Sequence, residues 1–263
     1  MSKSEAIKEN AFLAGLKNGR PQCGLWCSLP NPDIIELFSY SKPDWIMLDL
    51  EHTSGAIHQL ADIERAAASA DTPLIVRVPS LNGDDIKRAL DCGIQSLFIP
   101  QIKSAREVAD AISFSKYPPN GIRGVAGTTR ASRFGHWGKS KKALENEIAI
   151  IVQIETTEAV ENVEKILATP GLSGIFIGPA DLSAALGHMD NPNHPDVLST
   201  IETVLDAAQK AEMPIGIFAT SVEAAQKWVE KGFAFVSIGQ DSSMLLSETK
   251  ARTSEFRKRC CPQ

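Results

Sequence analysis

The chain has 263 residues, 43% hydrophobic and 22% charged, with a formal net charge of −5 at pH 7. That mix excludes a wholly disordered chain, and the acidic balance excludes the basic face with which a protein meets duplex nucleic acid. The longest apolar runs, such as 148–152, fall far short of the ~20 residues that span a bilayer, and the N-terminal stretch has no apolar signal region, so a cytoplasmic protein without a membrane partner is expected.

A leading helix is expected at 4–17. Strands then follow at 23–28, 45–50, 74–78, 96–100, 148–155, 174–178, 214–218 and 233–239, with helical periods at 33–39, 57–70, 84–92, 105–114, 157–167, 195–211, 222–230 and 241–258. The strands are near-continuous apolar runs, as parallel strands covered on both faces require. Eight β-then-α units predict a (β/α)8 TIM barrel in the α/β class, forming one domain over 1–263; a doubly wound open sheet is the alternative.

The connection 117–147 is outsized and carries Gly121, Gly124, Gly127, Gly135 and Gly138 amid Arg123, Arg130 and Arg133. Connections longer than about 15 residues usually carry function, so this loop is suspect; no role is assigned to its His136. Gly138-Lys139-Ser140 resembles the end of a phosphate-binding loop, but Arg133 stands where the first glycine is needed and no strand precedes it. His58, His188 and His194 read as bystanders. Cys23, Cys27, Cys92, Cys260 and Cys261 match neither a zinc nor a disulfide spacing and read as plain thiols.

Barrel active sites lie at the carboxyl ends of the strands. Those ends carry Asp49, Glu51 and His52 at the end of the second strand, Arg77 at the end of the third, Gln101 after the fourth, Gln153 and Glu155 on the fifth, and Asp181 after the sixth. Two carboxylates from adjacent strands, Glu155 and Asp181, describe an oxygen-ligand site for a hard divalent cation, although Asp181 could also serve as a helix cap. Asp49 stands three residues before His52, a spacing that lets the carboxylate accept the imidazole N–H and raise its basicity. Arg77 presents a planar fork suited to a carboxylate or enolate oxygen, or forms a structural ion pair.

The strings Asp44-Trp-Ile-Met-Leu-Asp49-Leu-Glu51-His52, Arg77-Val-Pro79, Tyr117-Pro-Pro-Asn-Gly-Ile-Arg-Gly124, Arg130-Ala-Ser-Arg133-Phe, Val152-Gln-Ile-Glu155-Thr and Phe176-Ile-Gly-Pro-Ala-Asp181-Leu-Ser183 span nearly the whole chain. On them the chain resembles the HpcH/HpaI aldolases, metal-dependent class II pyruvate aldolases that include 4-hydroxy-2-oxoheptanedioate aldolase. The resemblance implies Glu155 and Asp181 as metal ligands, His52 as base paired with Asp49, and Arg77, Gln153, Ala180 and Asp181 against the pyruvate unit. It also implies a last helix exchanged between subunits in a homohexamer built as a trimer of dimers. Many members have glycine where Leu50 stands, a change that falls on the aldehyde pocket and bears on substrate choice.

The expected reaction is reversible cleavage of a 4-hydroxy-2-oxo acid to pyruvate and an aldehyde. Mg²⁺, Mn²⁺ or Co²⁺ would stabilise the enolate, Arg77 would add positive potential and His52 would move the proton through a water, a role the resemblance assigns. The alternatives are a related metal–enolate lyase or synthase acting on oxaloacetate or an acyl-CoA thioester, and a catalytically silent barrel that would be expected to lose a metal carboxylate.

Overall fold

Side-chain parity along eight short strands decides what this chain buries and where. In the computed structural model, which describes residues 7–136 and 141–261, the elements run α1 (Ala11–Lys17), β1 (Gln22–Cys27), α2 (Pro32–Tyr40), β2 (Trp45–Asp49), α3 (Leu60–Ser69), β3 (Leu74–Arg77), α4 (Gly83–Asp91), β4 (Ser96–Ile99) and α5 (Ala105–Ser115). They continue as α6 (Lys141–Asn146), β5 (Ala149–Ile154), α7 (Thr157–Glu161), α8 (Val163–Leu167), β6 (Gly174–Ile177), α9 (Pro179–Ala185), α10 (Pro195–Lys210), β7 (Ile215–Phe218), α11 (Val222–Lys231), β8 (Phe235–Gln240) and α12 (Asp241–Cys260). The strands are all parallel and in sequence order, and β8 pairs back onto β1, so the sheet is a closed barrel and the open-sheet alternative is discarded.

One parity of the strands faces the helices and builds the larger core, including Ile46, Leu48, Val76, Leu97, Ile99, Val152, Ile175 and Ile217. The other parity fills the barrel with Trp26, Trp45, Met47, Ile75, Phe98, Ile151, Phe176 and Phe235. Rings in this interior meet at centroid distances such as 5.0 Å for Phe98–Phe176 and 5.9 Å for Phe176–Phe235. Room for them comes from glycine: a Cβ on Gly24 would lie 2.1 Å from the Trp45 ring, and one on Gly216 2.3 Å from Phe235.

Phe12, Leu13 and Leu16 of α1 join this interior cluster and plug the amino-terminal end of the barrel. The buried cap Asn10 sets them there, donating to Ser96 Oγ at 2.9 Å and to the Glu147 carbonyl at 2.9 Å, and accepting the Leu13 N–H. The helix begins at Ala11 because Asn10 satisfies one of its first-turn donors, the Leu13 N–H; residues 4–6 of the expected leading helix lie outside the described residues, as do Gly138, Lys139 and Ser140. The expected helix 157–167 is interrupted at Asn162 and forms α7 and α8, while α6 and α9 were not anticipated.

The described parts of the connection, 117–136 and 141–147, follow a helix and lead into a strand, so they lie on the amino-terminal face, opposite the carboxyl-end rim. Arg123 pairs with Asp91 at 2.6 Å and Arg130 pairs with Glu64, and the loop helps to line a cavity of about 520 Å³ floored by the strand starts at Leu74 and Ser96. Arg123 and Arg130 are therefore held in ion pairs on that face of the barrel. The five cysteines are free thiols, and among the described residues no helix is long and apolar enough to cross a membrane.

Candidate active site

At the top of the barrel the inward parity continues, but the residues become polar. Asp49 follows Trp45 and Met47, Arg77 follows Ile75, and Gln153 follows Ala149 and Ile151; each side chain therefore points into the barrel mouth. Register places Asp49 directly beside Arg77. Arg77 donates from Nε to Asp49 Oδ1 at 2.9 Å and from Nη2 to Oδ2 at 2.6 Å, a bidentate pair with both side chains nearly fully buried. The guanidinium lies 4.8 Å over the Trp26 ring, and its Nη1 points to Gln153 Oε1 at 3.4 Å and stands 2.9 Å from Glu51 Oε2. Burial alone would push the Asp49 carboxyl up, but hydrogen bonds and charge from Arg77 outweigh it and hold the carboxyl below its ordinary range.

This pairing corrects the expected Asp49–His52 couple. Asp49 touches His52 only through the backbone N–H, at 3.4 Å. The His52 ring is 61% exposed and sets Nε2 3.6 Å from Glu51 Oε2, so the acid beside the imidazole is Glu51. Spacing permits a residue-49 carboxylate to reach a residue-52 ring, but Arg77 offers two aligned charged donors, and charge-assisted bidentate bonds are the stronger competitor.

Glu155 lies one step beyond β5 with the parity of Gln153. Its Oε1 accepts the Gln101 backbone N–H at 2.8 Å and the Gln101 side chain at 3.1 Å, while its Oε2 accepts from Gln153 Nε2 at 3.1 Å. Gln101 reaches it from a left-handed backbone at φ +56°, a conformation uncommon for a residue other than glycine. Asp181 sits in the first turn of α9, whose cap is Gly178, so the helix-cap reading of Asp181 is not what the fold uses. Ala180 precedes it, exposed at the rim. Around the point where Gly178 would carry a Cβ stand Glu155 Oε2 at 2.9 Å, Asp181 Oδ2 at 3.6 Å and Gln153 Nε2 at 3.6 Å.

Three carboxylates, Asp49, Glu51 and Glu155, thus crowd one guanidinium, and Asp181 adds its charge beside Glu51 and Glu155. Burial, with Asp49 and Asp181 adding to it against the pull of Arg77, raises Glu51 to about 7. Burial raises Glu155 to about 7 as well, the Gln101 backbone bond opposing and Asp181 and Glu51 adding. This excess of buried oxygen charge around the Gly178 cradle fits a divalent cation with hard oxygen ligands. Gln101 and Glu51 were visible as rim residues, but no signal in the sequence assigned them their partners.

A pH dependence follows. In the folded chain Glu51 and Glu155 keep protons that the unfolded chain releases above the ordinary value of 4.5. Their contribution to stability is therefore full below that value and is lost as pH rises toward 7. Chelator-treated protein should lose more melting temperature between about pH 5 and about pH 8 than the Glu51→Gln variant does. Equal losses would remove Glu51 from the titration.

Known proteins are similar to this chain along most of its length. Residues 22–247 match the family described as HpcH/HpaI aldolase/citrate lyase. The chain is 37% identical over 257 residues to 5-keto-4-deoxy-D-glucarate aldolase of Klebsiella pneumoniae, covering 96% of this chain and 99% of that one. It is 38% identical over 250 residues to 4-hydroxy-2-oxo-heptane-1,7-dioate aldolase of Shigella sonnei, covering 94% and 95%. A crystal structure of a protein of the same family from Burkholderia cenocepacia superposes with a TM-score of 0.91 at 36% identity, over 94% of this chain and 99% of the other.

Proposed function

Because this chain belongs to the HpcH/HpaI aldolase/citrate lyase family and its relatives are aldolases, we propose that it is a divalent-metal-dependent aldolase. It reversibly cleaves a 4-hydroxy-2-oxo acid to pyruvate and an aldehyde. The observation that carries this reading is the convergence of Glu155 Oε2 and Asp181 Oδ2 on the position that Gly178 leaves without a Cβ. Those two carboxylates would hold Mg²⁺, Mn²⁺ or Co²⁺. When bound, the cation supplies Lewis-acid polarisation of the keto acid.

The remaining roles belong to side chains. Gln101 and Gln153 fix the Glu155 carboxylate from both sides, so its oxygens stay aimed. Asp49 locks the Arg77 fork over Trp26, and the guanidinium stabilises the negative charge that develops on the pyruvate enolate. Gln153 and the first turn of α9, with Ala180 and Asp181, complete the keto-acid site. His52, exposed and steadied by Glu51, takes the proton of the 4-hydroxyl in cleavage and returns it in synthesis, directly or through water. No strand of the barrel contains lysine, which disfavours a Schiff-base route.

The test needs no aldehyde. In deuterated buffer the methyl proton signal of pyruvate should disappear faster with enzyme and divalent cation than in the enzyme-free control, and chelation should stop it. A folded, metal-loaded sample that exchanges nothing would overturn the pyruvate assignment.

The proposal extends to assembly. Asp241 anchors the start of α12 to the end of β1 by accepting from the Ser28 N–H at 2.9 Å, Ser28 Oγ at 2.7 Å and the Leu29 N–H at 2.8 Å. Beyond that anchor the helix is exposed, and Met244, Leu245, Leu246 and Phe256 face solvent in the single chain. Such a surface calls for a partner: a neighbouring copy that exchanges its last helix, in a homohexamer of three dimers. Sedimentation should show an oligomer; a stable monomer at micromolar concentration would contradict the exchange.

A further inference from the structure

Two histidines that read as bystanders come together on the connection from α9 to α10. His188 Nε2 lies 3.0 Å from Asp196 Oδ2, and His194 Nδ1 lies 3.6 Å from the same oxygen. The rings stack at 3.5 Å between centroids with 14° between their planes. Each residue offers a ligand atom within 4.8 Å of the other two, and among the described residues this is the one such group of three.

We propose that His188, His194 and Asp196 form a second cation site, selective for a borderline divalent metal, with Zn²⁺ the best fit. Metal–ligand bonds of about 2.0–2.1 Å in a tetrahedron set neighbouring ligand atoms about 3.3–3.4 Å apart, and the two separations to Asp196 Oδ2, 3.0 and 3.6 Å, bracket that edge. Two imidazoles with one carboxylate are the ligand set of Zn²⁺, Ni²⁺ or Cu²⁺, whereas Mg²⁺ prefers oxygen alone. The half-exposed rings and exposed Asp196 leave the fourth position open to water.

The bonding of His194 also points to a cation. Its Nδ1 accepts the backbone N–H of Asp196 at 3.2 Å, so this atom carries the lone pair through which the ring would bind a metal. Capture requires the stacked rings to splay and frees the Asp196 N–H to solvent, which an exposed helix start permits. The helix-end field opposes a cation weakly there, and the Asp196 charge counters it. A bound ion would cross-link the connection that begins at α9, the helix whose first turn carries Asp181.

The test uses the full-length protein dialysed against Zn²⁺ in excess Mg²⁺, with bound metal measured per chain. His188→Ala should bind one Zn²⁺ fewer than the wild type, whereas His58→Ala, which removes an exposed imidazole elsewhere, should bind as many as the wild type. Zn²⁺ should raise the melting temperature of the wild type and not of His188→Ala, since a ligand that binds only the folded state stabilises it. Unchanged Mg²⁺-supported exchange of pyruvate in His188→Ala would show that the variant is folded. Equal zinc content in wild type and His188→Ala, or the same loss in His58→Ala, would overturn the site and would leave the aldolase reading untouched.

Discussion

Arg77→Met is expected to slow metal-dependent exchange of the pyruvate methyl protons by about 10²–10³-fold, the usual cost of removing one group that stabilises a developing oxyanion. Among the described residues the guanidinium is the one cation that contacts Asp49, Glu51 and Gln153 together, so its loss strips the positive potential from the keto-acid site. The variant also leaves Asp49 buried without its partner, and part of the loss could come from unfolding. The double variant Asp49→Asn/Arg77→Met separates the two effects, because it removes both charges and should recover stability without recovering rate. Wild-type exchange in a folded Arg77→Met protein would exclude Arg77 from enolate stabilisation.

Asp49→Asn by itself is expected to destabilise the fold by about 3–5 kcal/mol, the cost of breaking a buried ion pair from one side. The side chains of Asp49 and Arg77 are 4% and 6% exposed, so water cannot take the place of the lost carboxylate. Denaturant unfolding should show the change in midpoint, and the double variant should fall between Asp49→Asn and the wild type. An Asp49 that served chiefly to raise the basicity of His52 would give another pattern: a small stability change and an altered pH–rate profile. Glu51→Gln, which removes the acid next to the imidazole, should be the variant that alters that profile.

The barrel and the polar rim at the carboxyl ends of its strands were legible in the chain, because both depend on local patterns. Eight apolar runs rich in β-branched residues, each followed by a helical period, leave few parallel topologies, and the polar residues that end those runs must lie at the carboxyl rim. Asp49, Arg77, Gln153, Glu155 and Asp181 could therefore be placed by parity and order, and the structure brings all five to one mouth.

Pairing inside that mouth was decided by the tertiary structure, because the partners compete across strands. Asp49 could reach the His52 ring along the chain, but strand register sets it beside the Arg77 fork, and the imidazole is left to Glu51. Gln101 reaches Glu155 through a positive φ that no residue pattern marks. The long arginine-bearing connection stood out by its length, but its side of the barrel was set by the fold: its described parts follow a helix and lead into a strand, on the amino-terminal face. His188 and His194 meet across a turn of the chain in which neither had a recognisable partner. Periodicity is a property of neighbours in sequence, and so the sequence by itself determined the elements and their ends; which donor wins each carboxylate depends on distances that exist only once the barrel has closed.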